Sequence, residues 1–135
     1  MPRLRVVALG ARLPAWAEEA CAGYARRMPR GYAVERIALK RPGRIRSALA
    51  KGSRVVALDE RGAELTTAQF ARLLDRETTF VVGGPDGLDA ATRTSADLLL
   101  RLSALTLPHA LAQVVLLEQI YRAATLLGGH PYHRA

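Results

Sequence analysis

An α/β domain, with a parallel sheet carrying helices on both faces, is the fold class this sequence predicts, and three observations lead to it. Strand-like apolar runs alternate with helix-like segments along the whole chain. The 135 residues make one ordinary domain, 1–135; half are hydrophobic and 24% charged, the mixture of a folded globular chain rather than a disordered one. The runs stop at glycine, proline or aspartate, the punctuation of turns between strands and helices.

Taken in order, residues 4–9 are a β-branched apolar run that stops at Gly10. Pro14 opens a helix over 15–28, with Trp16, Ala20 and Tyr24 spaced by four on one face; Pro29 and Gly31 end it. Residues 32–39 alternate as a second strand. Residues 40–52 are basic, contain Pro42-Gly43, and read as a loop with one helical turn around 45–50. Residues 54–58 (RVVAL) are a short buried strand, and Asp59-Glu60-Arg61-Gly62 follows as a turn. Thr66 and Gln69 have the spacing of a capping box ahead of Phe70, Leu73 and Leu74, which predicts a helix to about Arg76. Residues 78–82 are a strand that runs at once into Gly83-Gly84-Pro85-Asp86-Gly87. A short helix over 89–95, a strand over 98–102 and a long helix over 109–127, capped by Gly128-Gly129, complete the pattern.

Several function classes fall away. No apolar run reaches the roughly 18 residues of a membrane span. The first residues, Met1-Pro2-Arg3-Leu4-Arg5, lack the small-residue cleavage site of a secretory signal. Cys21 is the single cysteine, so neither an internal disulfide nor a cysteine zinc frame can form. A reduced, cytoplasmic setting is expected.

Charge is distributed unevenly. The net is +8, and 18 of the 20 basic residues are arginine. Residues 26–54 hold ten of them (Arg26, Arg27, Arg30, Arg36, Lys40, Arg41, Arg44, Arg46, Lys51, Arg54) against one acid, Glu35. A codon preference explains arginine over lysine but not the missing acids, so this block reads as the footprint of a phosphate backbone. Its one aromatic is Tyr32, which argues against a base-stacking platform there.

In parallel sheets, ligands sit where the strands end. Three segments leave strand ends with unusual chemistry: Leu58-Asp59, residues 83–87, and Leu102-Ser103-Ala104-Leu105-Thr106-Leu107-Pro108. The glycine turn is neither a dinucleotide fingerprint nor a Walker loop; it is either a plain tight turn or a place where a ligand approaches bare backbone. The 102–108 segment is apolar for a loop, either an edge strand feeding a helix or a set of peptide groups awaiting a flat heterocycle such as adenine. The 109–127 helix is apolar nearly all round, so it is buried either in its own core or against another subunit; in so small a domain the second is easier to satisfy, which predicts a homodimer. The tail, His130-Pro131-Tyr132-His133-Arg134, gathers titratable groups, but Pro131 and the lack of a third ligand argue against metal.

Residues 83–88 (GGPDGL), 102–109 (LSALTLPH) and 130–134 (HPYHR), with Val7-Ala8-Leu9-Gly10 at the start, closely resemble the ribosomal RNA large subunit methyltransferase H family. That family belongs to the SPOUT class and methylates N3 of a pseudouridine in a stem-loop of 23S ribosomal RNA, on the ribosome. The resemblance implies a C-terminal trefoil knot, an arrangement composition and periodicity cannot disclose, and a homodimer. It implies S-adenosylmethionine bound by Leu58, Gly83, Leu102, Ser103, Ala104, Leu105, Thr106 and Leu107, and no metal. Within the tail, His133 or Tyr132 would handle the imide proton, His133 ahead because imidazole titrates near neutrality, and Arg134 would steady the anion or a phosphate. Family members carry a longer segment between Lys40 and Arg54. The rival readings are a SPOUT enzyme for another RNA, such as transfer RNA, and an RNA-binding domain without turnover.

Overall fold

The computed structural model of the chain describes residues 3–10, 12–49 and 51–133. Five strands form one sheet: β1 (Leu4–Leu9), β2 (Val34–Leu39), β3 (Arg54–Glu64), β4 (Thr78–Val82) and β5 (Leu98–Arg101). All neighbours are parallel, in the order β2-β1-β4-β3-β5. The helices are α1 (Ala15–Arg26), α2 (Ile45–Ala48), α3 (Thr67–Ala71), α4 (Ala90–Ser95) and α5 (His109–Gly128).

The period of two along each strand sends alternate side chains to two unequal cores. Leu4 and Val6 of β1, Val56 of β3, and Phe80 and Val82 of β4 enter the larger one. There they meet Cys21 of α1, Phe70 and Ala71 of α3, and Leu116, Leu117, Ile120, Ala123 and Ala124 of α5. On the opposite face Leu9, Ala57 and Val81 meet Ile45 of α2, with Leu88 and Ala96 packed beside them. Helices therefore do lie on both faces, but one face carries the bulk of the core.

Helix α5 has the length and mean hydropathy of a membrane span. It is instead the central helix of the larger core, and both α1 and α3 pack on it. Its N-cap is Pro108 and its C-cap is Gly129, whose φ of +75° suits glycine. Of the expected Gly128-Gly129 pair, Gly128 completes the last turn and Gly129 is the cap. The Thr66 capping box is present, with Gln69 N–H donating to the Thr66 hydroxyl and Thr66 N–H to the Gln69 carbonyl oxygen. The helix it opens is shorter than expected: α3 tightens after Ala71 into a 3₁₀ turn over Arg72–Asp75.

The larger departure from expectation is at β3. Asp59-Glu60-Arg61-Gly62 is no terminal turn. The strand pairs with β5 up to Leu58, bows outward, and pairs again from Ala63. Gly62 makes the return possible: a Cβ there would stand 2.5 Å from the Leu99 carbonyl.

Candidate active site

The carboxyl ends of β3, β4 and β5 surround a cleft of about 880 Å³, ample for a nucleoside-sized ligand. Its walls are residues 58–61, 82–88, 100–109, Arg93 and Ala112. Leu58, Gly83, Leu102, Ser103, Ala104, Leu105, Thr106 and Leu107 are all among them.

Each wall has its own reason for its shape. The first is the bowed segment of β3, braced by Asp59: its carboxylate accepts from Arg61 N–H at 2.7 Å and pairs with Arg93 Nε of α4 at 2.8 Å. The second is the glycine turn. Gly87 takes φ +82° and its N–H donates to the Gly84 carbonyl at 2.9 Å. A Cβ at Gly83 would stand 2.6 Å from the Gly87 carbonyl carbon, so glycine is needed there for the turn to fold on itself. The sequence argument assigned that glycine to ligand approach; the structure gives it an internal reason. The third wall is 102–107, which has no regular secondary structure. The Leu105 N–H donates to the Ser103 hydroxyl at 2.9 Å, but among the described residues no backbone-to-backbone hydrogen bond engages positions 103–107. These peptide groups are open to a ligand, which is the fit an adenine edge requires. Leu105 is 76% exposed beside them.

The tail lies elsewhere. Tyr132 is on a 3₁₀ turn over Pro131–His133 and does not line the cleft of its own chain. Its hydroxyl donates to Glu118 Oε2 of α5 at 2.8 Å, its ring meets Tyr121 edge-on with centroids 4.5 Å apart, and Arg122 lies 5.0 Å from its centroid. Burial, then the Glu118 carboxylate, push the Tyr132 hydroxyl well above the ordinary tyrosine range, so this contact makes it a hydrogen-bond donor rather than a proton acceptor. Burial alone would raise the Glu118 carboxyl, but bonds from Arg122 and Tyr132 outweigh it and hold the group low. The His133 side chain and all of Arg134 lie outside the described residues.

Several features escaped sequence reasoning. His109, in the cleft wall, closed the 102–109 motif and opened a helix, but was given no role in the site. The Asp59–Arg93 pair joins distant segments, and nothing local announces it. Three of the ten cations in 26–54 are engaged within the fold: Arg36 with Glu18, Arg54 with Asp75, and Arg27 lying 4.9 and 5.1 Å from the Tyr24 and Tyr121 ring centroids. Among the described residues no group of three or more His, Cys, Asp or Glu is placed to hold a metal.

Parallel strands ending in a cleft of open peptide groups suit an enzyme that holds a nucleoside-bearing cofactor, and the comparisons give the class. Residues 2–133 match the family described as predicted SPOUT methyltransferase, and the chain belongs to that family. It is 46% identical over 153 residues to the ribosomal RNA large subunit methyltransferase H of Verminephrobacter eiseniae, covering 98% of this chain and 99% of the relative. A second relative of that name, from Dechloromonas aromatica, is 43% identical over 153 residues, with 98% of both chains covered. Both matched lengths exceed this chain's 135 residues, so these relatives carry segments it lacks. The SpoU methyltransferase AviRb from Streptomyces viridochromogenes, solved with the cofactor AdoMet, shares the fold at a TM-score of 0.59 and 18% identity, over 93% of this chain and 58% of that one.

Proposed function

We propose that this chain methylates large-subunit ribosomal RNA with S-adenosylmethionine as donor, at N3 of a pseudouridine in a 23S stem-loop. The carrying observation is the backbone-lined cleft, in a chain 46% identical to a large subunit methyltransferase H over almost its full length. The AdoMet-bound SpoU neighbour supports the choice of cofactor.

S-adenosylmethionine would supply an activated methyl group. Residues 102–107 would hold its adenine by peptide groups, Leu58 and Gly83 would flank it, and the Asp59–Arg93 pair would hold the β3 wall in place. The imide nitrogen must lose its proton to become nucleophilic. His133 is the group assigned to take it, Arg134 to balance the anion, and Tyr132 to anchor the tail through Glu118. Because Tyr132 stands outside its own chain's cleft, the reading places the tail at the cleft of a second copy in a homodimer. Leu111 and Leu127 of α5, 37% and 46% exposed, support such an interface. The same reading takes residues 1–135 as one SPOUT domain in the cytoplasm with a C-terminal trefoil knot, supported by family membership and by the insertion of β4 between β1 and β3.

Mass spectrometry of 23S ribosomal RNA from cells lacking this chain tests the function. One missing methyl on a pseudouridine is expected, restored by the intact gene. An unchanged 23S profile, with a methyl missing from a transfer RNA instead, overturns the substrate.

A further inference from the structure

Beside the cofactor cleft, at the carboxyl ends of β1 and β2, lies a second cavity of about 420 Å³ that the reaction as described leaves unused. A contact between glycines separates the two: a Cβ on Gly10 would stand 3.2 Å from Gly84 Cα and Pro85 Cδ in the first cleft's wall. Helix α5 spans both, with His109 in the first and Gln113, one turn on, in the second.

Gln113 is the unusual residue. It is only 4% exposed. Its amide nitrogen lies 3.0 Å from His109 Nε2; an amide N–H donates, so that ring nitrogen accepts. The Gln113 carbonyl oxygen has no hydrogen-bond partner among the described residues, nor is it one of the fully enclosed unpaired atoms, so it opens on the cavity. The amide oxygen is therefore free to accept from a ligand that enters the cavity, while the rest of the side chain is held in place by burial.

The rim supplies charge. Arg12 and Lys40 are exposed there, and neither forms an ion pair among the described residues. The cavity's one acid, Glu18, is already bound by both guanidinium nitrogens of Arg36, at 2.7 and 2.9 Å. Two exposed cations, of which Arg12 is near enough to Glu18 to help hold its carboxyl low, stand over a mostly apolar floor with the Gln113 amide in it, an arrangement that suits an anion carrying a flat hydrogen-bonding edge. Lys40 also runs directly into the basic stretch 41–54.

We propose that this cavity is a second RNA subsite, which takes the nucleotide next to the one being methylated. Arg12 and Lys40 neutralise its phosphate, and the Gln113 amide bonds the edge of its base. The identity of the ligand as RNA rests on the proposed function.

Two variants test it by fluorescence polarisation with a labelled RNA hairpin, alongside calorimetry with S-adenosylmethionine and methylation kinetics. Gln113→Leu removes the amide at similar volume; the double change Arg12→Ala and Lys40→Ala trims only exposed side chains. Each is expected to weaken hairpin affinity about tenfold, the double variant alone also flattening the salt dependence. Cofactor affinity and kcat at saturating RNA stay at wild-type values. Wild-type hairpin affinity in both variants overturns the subsite, as does a Gln113→Leu effect confined to cofactor affinity or kcat. A double variant that sediments as a smaller species also overturns it, since the cavity would then be an interface between copies. A wild-type protein that binds the hairpin yet methylates no RNA sinks the proposed function, while the affinities still decide the subsite.

Discussion

Where β3, β4 and β5 end, the cleft is walled by glycines and by peptide groups with no backbone partner; where β1 and β2 end, the smaller cavity is walled by arginine, lysine and glutamine side chains. Both sites carry charged side chains, but only the first adds a run of peptide groups, 103–107, without backbone partners. Backbone groups are fixed by the fold and suit a ligand of constant shape, as a cofactor is. Flexible cations suit a polymer whose phosphates recur at intervals and whose bases vary. Two of the motifs that carry the family resemblance, 83–88 and 102–109, lie in the first half, whereas Ala8, Leu9 and Gly10 of a third line the second cavity.

Gly83→Val should separate the halves most sharply. The added Cβ meets the Gly87 carbonyl at 2.6–2.8 Å, so the turn must unfold from its closed form. Cofactor binding is expected to fall at least 100-fold by calorimetry, at a stability cost of about 2 kcal/mol, the scale of a strained backbone site, while hairpin affinity is retained. Wild-type cofactor binding would place the cofactor elsewhere.

A smaller, opposite effect is expected from changing Arg41, Arg44 and Arg46 together to alanine. Loss of three phosphate contacts should lower the slope of log affinity against log salt by about 2 to 3 and weaken all RNAs alike, leaving the cofactor untouched. An unchanged salt slope would move the footprint off this segment.

The smallest effect tests the tail, which belongs to neither half of its own chain. Tyr132→Phe removes a partly exposed bond to a carboxylate and should cost about 1 kcal/mol. The pH signs differ for its two partners. The Glu118 carboxyl is held low, so its contribution is complete above the ordinary carboxylate range and is lost as pH falls below it. The Tyr132 hydroxyl is raised, so its contribution is complete below pH 10.0, the ordinary value, and is lost only as pH climbs beyond it. Melting temperature measured against pH should show both limbs in wild type; Tyr132→Phe should shrink the alkaline limb to the part left by the buried Cys21 thiol, whose pKa burial also raises, and an alkaline limb of wild-type size would show that this contact is not what titrates.

The strand and helix pattern was legible because burial imposes periods of two and 3.6 on the sequence. The eight residues expected to hold the cofactor line one cleft, seven of them in the 83–88 and 102–109 motifs and Leu58 by position alone. The outward bow of β3 was not legible, because Asp59-Glu60-Arg61-Gly62 has the composition of a turn, and only the Leu99 backbone explains why Gly62 returns to the sheet. Equally silent were the pairings that tertiary contact alone creates. The Tyr24–Tyr121–Tyr132 cluster joins α1, α5 and the tail, and nothing local to any of the three segments announces that their rings meet. The basic count overstated the free charge for the same reason, since Arg27, Arg36 and Arg54 meet partners that lie outside their own segment or on the preceding turns.

The position of α5 in the chain has a consequence for assembly in time. Five of the fifteen residues in the larger core belong to it, and it is the last long element made. β1 pairs with β4, distant in sequence, and although Cys21 and Phe70 cover part of their main face, that face is not closed until residues 109–128 arrive. The sheet is thus a non-local structure whose lid is synthesised last, the topology that folds slowly and as one event. An unfinished chain exposes Leu4, Val6, Phe80 and Val82 together, which makes the growing protein, rather than the finished one, the form most exposed to aggregation.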